Sequence, residues 1–180
     1  MYNDVIFSGF GGQGVLFTGQ LLAYAAMDAG LHVTWIPSYG PEMRGGTAHC
    51  TVVVSDSPIG SPLVRRPRNV VAFNNPSFEK YLPQLAPDGT LVYNSSLITP
   101  SSARTDIQLV AVPANDLAAE LGEARLLNMV LLGALLARAP ILPLATLERA
   151  LATHTAERHR ALLAPNLQAL RRAYEYAGGC

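Results

Sequence analysis

Three glycines near the start of the chain have the spacing of a phosphate-binding turn. They form the pattern G-x-G-x-x-G directly after the short apolar segment 4–7, which is typical of a buried strand, and helical spacing of apolar residues begins at Val15. In such a turn one glycine allows a sharp bend, one allows a ligand to approach the backbone, and one lets the helix pack closely on the strand. The amides at the positive end of that helix would suit a phosphate or a carboxylate. The residues of this candidate site are Gly9, Gly11, Gly12, Gln13 and Gly14.

The pattern lacks the acidic residue that usually holds the ribose of a dinucleotide at the end of the second strand. The second strand is predicted over 32–36, the first acid after it is Glu42 in a loop, and Asp28 comes too early, near the end of the first helix. Two interpretations follow. The turn either binds NAD or FAD, or it serves strand–helix packing or contact with a partner, and the missing acid favours the second.

A second candidate segment, 38–47, follows the predicted second strand. Its glycines, proline and opposite charges predict a structured loop. The loop leaves the carboxyl end of a strand, where open α/β sheets place their ligands. Either Glu42 pairs with Arg44 and orders the loop, or the loop meets a substrate, a cofactor or another subunit. The candidate contact residues are Ser38, Tyr39, Glu42, Arg44 and Gly45.

The remaining residues offer little catalytic chemistry. His49 and Cys50 are adjacent in a predicted strand and therefore point to opposite faces, so they form neither a metal site nor a nucleophile–base pair. The chain has two cysteines, Cys50 and Cys180, too few for an iron–sulfur cluster, and it has no P-loop lysine, G-x-S-x-G or H-E-x-x-H motif. We therefore predict no catalytic residue and no metal in this chain, and a site that other chains complete.

The elements that position these residues alternate between short apolar strands and helices. This alternation predicts an α/β fold that is Rossmann-like, with a mostly parallel sheet, flanking helices and a helical C-terminal part from Asn115 onward. The third strand, predicted over 48–54, should run antiparallel to a neighbour because no helix precedes it. Segment 124–137 is apolar nearly all round and predicts a buried helix. Its most apolar part, 126–137, is either buried in this way or forms a subunit contact. The length and the absence of a linker predict a single domain, residues 1–180.

The net charge and the length of the apolar segments argue against two classes of partner, nucleic acids and membranes. The formal net charge is zero, which gives no electrostatic case for binding nucleic acid. The basic cluster 65–68 predicts a solvated loop or a contact with an acidic partner surface. The longest apolar run is shorter than a membrane span, and no signal peptide is recognisable, so we expect a cytoplasmic chain without membrane contact.

Three segments together carry a family resemblance: GFGGQGV at 9–15, SYGPEMRGG at 38–46 and NMVLLGA at 128–134. With them the chain resembles the gamma subunit of 2-oxoacid:ferredoxin oxidoreductases over essentially its whole length, nearest to the 2-oxoglutarate type. The resemblance implies the gamma domain of pyruvate/ketoisovalerate oxidoreductases, a Rossmann-like α/β domain.

The resemblance also implies a division of labour between subunits. Thiamine diphosphate and iron–sulfur clusters would belong to the alpha and beta subunits of the same enzyme, a 2-oxoacid would be cleaved to acyl-CoA and CO₂, and electrons would pass to ferredoxin. This chain alone would bind no cofactor and be inactive, with its glycine turn and the loop 39–44 facing the catalytic subunits and helping to receive coenzyme A. The alternatives are the equivalent subunit of an indolepyruvate or pyruvate/2-oxoisovalerate oxidoreductase, a stand-alone nucleotide-binding module, and an interaction domain without an enzyme.

Overall fold

The computed structural model describes residues 1–40, 46–102 and 104–178, and within them the strands form a single six-stranded sheet. The strands are β1 (Tyr2–Phe10), β2 (His32–Tyr39), β3 (Thr47–Ser55), β4 (Asn69–Ala72), β5 (Thr90–Asn94) and β6 (Gln108–Val112). The α-helices are α1 (Val15–Asp28), α2 (Asn75–Tyr81), α3 (Ala114–Glu120), α4 (Leu127–Arg138), α5 (Leu144–His154) and α6 (Leu163–Tyr176).

The strand order is β2-β3-β1-β4-β5-β6. The neighbours from β1 through β6 pair in parallel, whereas β3 pairs antiparallel with both β1 and β2. Among the described strands only β3 therefore runs against the others, because the connection from β2 is too short to hold a crossover helix. The predicted α/β fold, with a mostly parallel sheet and an antiparallel third strand, is confirmed.

Helices cover the two faces of the sheet unequally. On one face a large core contains Phe7 of β1, Cys50 of β3 and buried residues of α1, α3, α4, α5 and α6. On the other face a smaller core forms between the sheet and α2, with Phe78 and Tyr81 packed over residues such as Ile6. The helical C-terminal part thus lies on one face of the sheet, where α4 packs against β5 and β6 and α6 packs against α4.

The apolar helix α4 is buried within the chain. Residues 129–136 are all buried, and a Cβ added at Gly133 would lie 2.2 Å from the carbonyl oxygen of Leu170, so α4 and α6 approach closely at that glycine. The predicted burial is confirmed. The alternative of a subunit contact through this helix is wrong, because neighbouring elements already cover these side chains.

Some element boundaries differ from the prediction. The loop expected from Ser38 begins later, since β2 continues to Tyr39, which pairs with Ala48 of β3. The helix expected from Ala124 begins with a 3₁₀ turn over Ala124–Leu126, and another 3₁₀ segment, Glu157–Leu162, precedes α6. Among the described residues, no helix is both long and apolar enough to cross a membrane.

Candidate functional site at the glycine turn

The glycine turn joins β1 to α1 through two residues with a left-handed backbone. Gly12 has φ +96° and Gly14 has φ +79°, conformations that residues with a Cβ adopt rarely. Gly14 lies just before α1, and a Cβ there would also lie 2.6 Å from Nδ2 of Asn128. A Cβ at Gly12 would meet nothing within 4 Å, so this glycine presents open backbone at the surface.

Gly9 allows close packing instead of a bend. A Cβ at Gly9 would lie 2.7 Å from Cβ of Phe73 and 2.9 Å from Cγ2 of Val15. The end of β1 therefore packs directly against the start of α1 and the residue that follows β4. Two of the three predicted roles fall on glycines of the pattern: Gly9 allows the close packing and Gly14 allows the sharp turn. The third role, an open backbone for a ligand, falls on Gly12, which is not one of the three glycines of the G-x-G-x-x-G pattern.

Several amides of the turn are already hydrogen-bonded within the protein. The Phe10 N–H donates to Oε1 of Gln13 at 2.7 Å, and the Gln13 N–H donates back to the Phe10 carbonyl at 3.2 Å. The Gly11 N–H donates to the carbonyl of Gly46 at 3.0 Å. These amides are not available to a pyrophosphate, which supports the interpretation that the turn serves packing and partner contact.

The two segments selected from the sequence lie side by side at the carboxyl edge of the sheet. Phe10 at the end of β1 pairs with Thr47 at the start of β3, and Tyr39 at the end of β2 pairs with Ala48. The bond from Gly11 to the Gly46 carbonyl joins the turn directly to the β2–β3 connection. The structure therefore brings the described parts of both predicted sites together.

The predicted contact residues of the second segment do not all share one surface. Ser38 and Tyr39 are adjacent in β2, so their side chains point to opposite faces of the sheet. Tyr39 is 72% exposed, whereas Ser38 is partly buried opposite His49. Glu42, Arg44 and Gly45 lie outside the described residues.

The strand order explains why the ribose-binding acid is missing. In a dinucleotide-binding fold that acid follows a parallel strand beside the first strand. In this sheet β1 has β4 on one side and the antiparallel β3 on the other, where the acid-bearing strand would lie. Because β3 is antiparallel, it begins with Thr47 at the carboxyl edge of the sheet and does not end there. Among the described strands, none ends in the position from which such an acid would reach a ribose.

The turn borders the place where the chain connections change sides. The connection after β1 leads to α1 on one face, and the connection after β4 leads to α2 on the other face. In open α/β sheets, ligands bind in the crevice that forms at such a switch point. Asn74 lies at this point, and its side chain accepts a hydrogen bond from the Ser77 N–H at 3.0 Å, which caps α2.

Cys50 and His49 do not form a reactive pair. Cys50 is fully buried beneath α1, where its Sγ lies 3.7 Å from the Val15 carbonyl, and burial raises the pKa of its thiol to about 12. His49 faces the opposite side, with its ring centre 6.3 Å from that of Tyr81. Burial, and then the positive charge of Lys80, lower the pKa of His49. Among the described residues, no group of three or more His, Cys, Asp or Glu side chains could hold a metal ion.

The structure adds one residue to the site that the sequence did not assign. Asn128, in the first turn of α4, is buried and lies against Gly14. It also lines a cavity of about 670 Å³ on the outer side of α1, over a floor that includes Leu21, Leu126 and Leu151. The only sequence signal was a single carboxamide within an otherwise apolar run, since no spacing rule links position 128 to position 14.

Comparison with known proteins identifies the family. A family model described as pyruvate ferredoxin/flavodoxin oxidoreductase matches residues 4–176. The ketoisovalerate oxidoreductase subunit VorA of Methanothermobacter thermautotrophicus is 44% identical over 130 residues, which cover 72% of this chain and 27% of VorA. The 2-oxoglutarate synthase subunit KorC of Methanocaldococcus jannaschii is 32% identical over 156 residues, which cover 84% of this chain and 82% of KorC.

Solved structures show the same fold as a separate subunit and as part of a longer chain. The gamma subunit of a keto/oxoacid ferredoxin oxidoreductase from Geobacter sulfurreducens matches with a TM-score of 0.85 and 27% identity, over 98% of this chain and 97% of that subunit. A 2-oxoglutarate:ferredoxin oxidoreductase from Magnetococcus marinus, solved with 2-oxoglutarate, coenzyme A and succinyl-CoA, matches with a TM-score of 0.89 and 26% identity. That match covers 98% of this chain but 31% of the longer one. The resemblance predicted from the sequence is confirmed.

Proposed function

The chain belongs to the pyruvate ferredoxin/flavodoxin oxidoreductase family, and from this we propose that it is the gamma subunit of a 2-oxoacid:ferredoxin oxidoreductase. The enzyme would decarboxylate a 2-oxoacid oxidatively to an acyl-CoA and CO₂ while reducing ferredoxin, and this chain would contribute one domain, residues 1–180, in the cytoplasm. The observation that carries the proposal is the match to a separate gamma subunit over nearly the full length of both chains. The chain spans only about a quarter of the VorA relative, so the remaining machinery would come from partner subunits.

The proposal assigns thiamine diphosphate and the iron–sulfur clusters to the alpha and beta subunits. This chain does not fit a cluster, because clusters are held by sets of cysteine thiolates and the described residues contain no such group. Its one described cysteine is deeply buried under α1. The chain's own contribution would be a surface beside the catalytic subunits.

We place that surface at the carboxyl edge of the sheet, where it would help to receive coenzyme A. The open backbone at Gly12 and the exposed ring of Tyr39 fit a ligand that approaches closely and packs against an aromatic face. From the sequence, Arg44 would pair with a phosphate or carboxylate, and Gly45 would permit close approach. Coenzyme A would supply the thiol that accepts the acyl group.

Two 2-oxoacids are the leading candidates for the substrate, ahead of pyruvate and indolepyruvate. Relatives named KorC match across most of their own length, which favours 2-oxoglutarate. Relatives named VorA have higher identity, 44% and 42%, which favours the branched acid 2-oxoisovalerate. Assaying the assembled enzyme with each acid would decide between them by the ratio of kcat/KM values.

Affinity purification of this chain from its native cell tests the assignment as a subunit. We expect mass spectrometry to identify companions with thiamine and iron–sulfur motifs, and the eluate to reduce a viologen dye in the presence of a 2-oxoacid and coenzyme A. Recovery of the chain alone, with micromolar binding of NAD or ATP, would contradict the proposal and favour a stand-alone nucleotide-binding module.

Replacing Arg44 with Ala in the assembled enzyme tests the coenzyme A surface. We expect a rise in KM for coenzyme A of about tenfold, because a charge-assisted contact with a phosphate is lost. Arg66→Ala is the matched control, since Arg66 is exposed in the β3–β4 connection. Unchanged KM values for both coenzyme A and the 2-oxoacid in the Arg44 variant would argue against this surface while leaving the subunit assignment intact.

A further inference from the structure

The cavity on the outer side of α1 has the dimensions of a small-molecule site. Its volume is about 670 Å³, and its lining comes from α1, the 3₁₀ turn Ala124–Leu126, the start of α4, the end of α5 and the 3₁₀ segment Glu157–Leu162. Cavities that bind small molecules have volumes of about 300–1,000 Å³ and often lie between helices. A strand or helix of another chain would need a longer groove, so the size favours a small ligand.

The inner wall of the cavity carries a buried carboxamide. Asn128 is 6% exposed and lines the cavity, and within the described part of the chain its side chain has no hydrogen-bond partner. A carboxamide can both donate and accept hydrogen bonds, and a buried one that makes none is costly. A ligand with a hydrogen-bonding group at this depth would satisfy it.

The remaining walls are apolar and preformed. The apolar lining includes Phe17, Leu21, Leu126 and Leu151. Tyr24 and His154 complete one wall as a stacked pair, with ring centroids 4.4 Å apart. Nε2 of Gln20 donates to the Tyr24 hydroxyl at 3.0 Å, and Nε2 of His154 lies 2.9 Å from Oδ2 of Asp28. Because these polar atoms already have partners, the wall offers ring surface, which favours an aromatic ligand.

Two arginines lie at the exposed mouth of the cavity. Arg125 and Arg158 both line it and are exposed. The Nε–H of Arg158 donates to Nε2 of His159 at 3.2 Å, while Nε of Arg125 lies 3.9 Å from Oε1 of Glu123, beyond hydrogen-bond distance. Glu123 thus sets one negative charge against the two guanidinium groups, whose geometry suits a carboxylate.

We propose that this cavity binds an aromatic carboxylate with a hydroxyl group at the far end of its ring. The carboxylate would pair with the two arginines, the ring would pack on the apolar walls, and the hydroxyl would exchange hydrogen bonds with Asn128. Gly12 and Tyr39 of the proposed coenzyme A surface do not line this cavity. The proposal therefore depends neither on that surface nor on the role as a subunit.

A matched series of ligands tests the proposal on the purified full chain. We expect para-hydroxyphenylacetate to bind with a Kd of about 1 mM or lower. Phenylacetate, which lacks the hydroxyl, should bind about fivefold more weakly, and tyramine, which has an ammonium group in place of the carboxylate, at least about tenfold more weakly. In NMR titrations the backbone amides over 17–24, 123–128 and 151–159 should shift, and those over 108–112 should not.

Substitutions at the mouth separate charge from shape. The double variant Arg125→Gln, Arg158→Gln should weaken binding of para-hydroxyphenylacetate about tenfold, whereas Glu123→Gln should tighten it because a like charge is removed. Arg172→Gln, at an exposed position of α6 that does not line the cavity, is the matched control and should bind as wild type does.

A substitution at the inner wall tests the hydrogen bond. Asn128→Leu, which is similar in size and shape, should abolish the preference for para-hydroxyphenylacetate over phenylacetate. If this variant does not fold, the comparison of the two acids on the wild-type chain still decides the point.

Four results would overturn the proposal: no saturable binding of para-hydroxyphenylacetate by the folded chain up to about 10 mM, equal binding of tyramine, equal binding of phenylacetate to the wild-type chain, or amide shifts confined to residues outside the cavity. None of these measurements involves partner subunits or turnover. A failure here is therefore distinguishable from a failure of the proposed function.

Discussion

A single residue, Gln13, closes the glycine turn. Its side-chain carbonyl oxygen accepts the Phe10 N–H at 2.7 Å, while its own backbone N–H donates to the Phe10 carbonyl. A sequence pattern that records only the glycines gives no weight to this residue. The turn is therefore held by its own hydrogen bonds, and Gly12 is the part of it that remains open to an approaching molecule.

Asp4 is a buried acid that the proposed function does not use. Its Oδ1 accepts the backbone N–H of Arg68 at 2.7 Å, and its backbone carbonyl accepts from Nδ2 of Asn69. Burial raises the pKa of this carboxyl, and this effect exceeds the lowering by the hydrogen bond and the charge of Arg68. The folded protein therefore binds the Asp4 proton more tightly than the unfolded chain does.

Asp4→Asn should alter the pH dependence of stability. Since the folded pKa is raised, the wild-type chain loses stability as pH rises from the unfolded value of about 3.9 through the folded pKa, and stays at the lower level above it. The Asn variant keeps an oxygen that can accept the Arg68 N–H. Because its side chain does not ionise, it does not lose stability as the pH rises. We expect its free energy of unfolding relative to wild type to be larger at about pH 7 than at about pH 3 in urea titrations.

The control for that measurement is Asp88→Asn, the same change at an exposed turn with φ +60°, a conformation that asparagine tolerates. If the difference between the Asp4 variant and wild type were constant across this pH range, the raised pKa of Asp4 would be refuted.

At the scale of elements, α1 lies unusually close to β3 at one glycine. A Cβ on Gly19 would lie 2.3 Å from Sγ of Cys50 and 3.3 Å from both Nε1 of Trp35 and Cγ2 of Val52. The buried thiol therefore fills the space that this glycine leaves. Cys50 has a packing role, and its high pKa keeps it protonated at neutral pH.

Gly19→Ala should destabilise the protein by about 1–3 kcal/mol, because overpacking outweighs the gain in helix propensity. Adding Cys50→Ala should recover much of that loss, giving a coupling energy of about 1 kcal/mol or more in a double-mutant cycle. Gly60→Ala, where a Cβ would meet nothing within 4 Å, is the control and should be nearly neutral. Strictly additive effects of the two substitutions would show that the contact is not the one described.

The sequence predicted the helices and strands better than it predicted which residues of different elements contact each other. Alternating strands and helices, the antiparallel β3 and the buried α4 follow from local patterns such as the helix-free connection before Thr47. The contact of Asn128 with Gly14 and that of Cys50 with Gly19 join residues far apart in the chain, so no periodicity marks them. The extension of β2 to Tyr39 was missed because its last residues resemble a loop until the pairing with β3 is known.

At the scale of the whole molecule, this fold occurs in relatives both as a separate chain and as about a third of a longer chain. The glycine turn and the neighbouring start of β3 lie at the edge of the sheet where ligands and partners of α/β proteins usually bind. The proposed subunit role therefore depends on this edge and on companions that carry the redox chemistry.

The most direct test is an add-back assay with the purified companion subunits, in which 2-oxoacid- and coenzyme A-dependent reduction of a viologen dye is measured with and without this chain. We predict no activity for the chain alone, low activity for the companions alone, and full activity when they are combined. Turnover of any 2-oxoacid by the isolated chain, or full activity of the companions without it, would contradict the account.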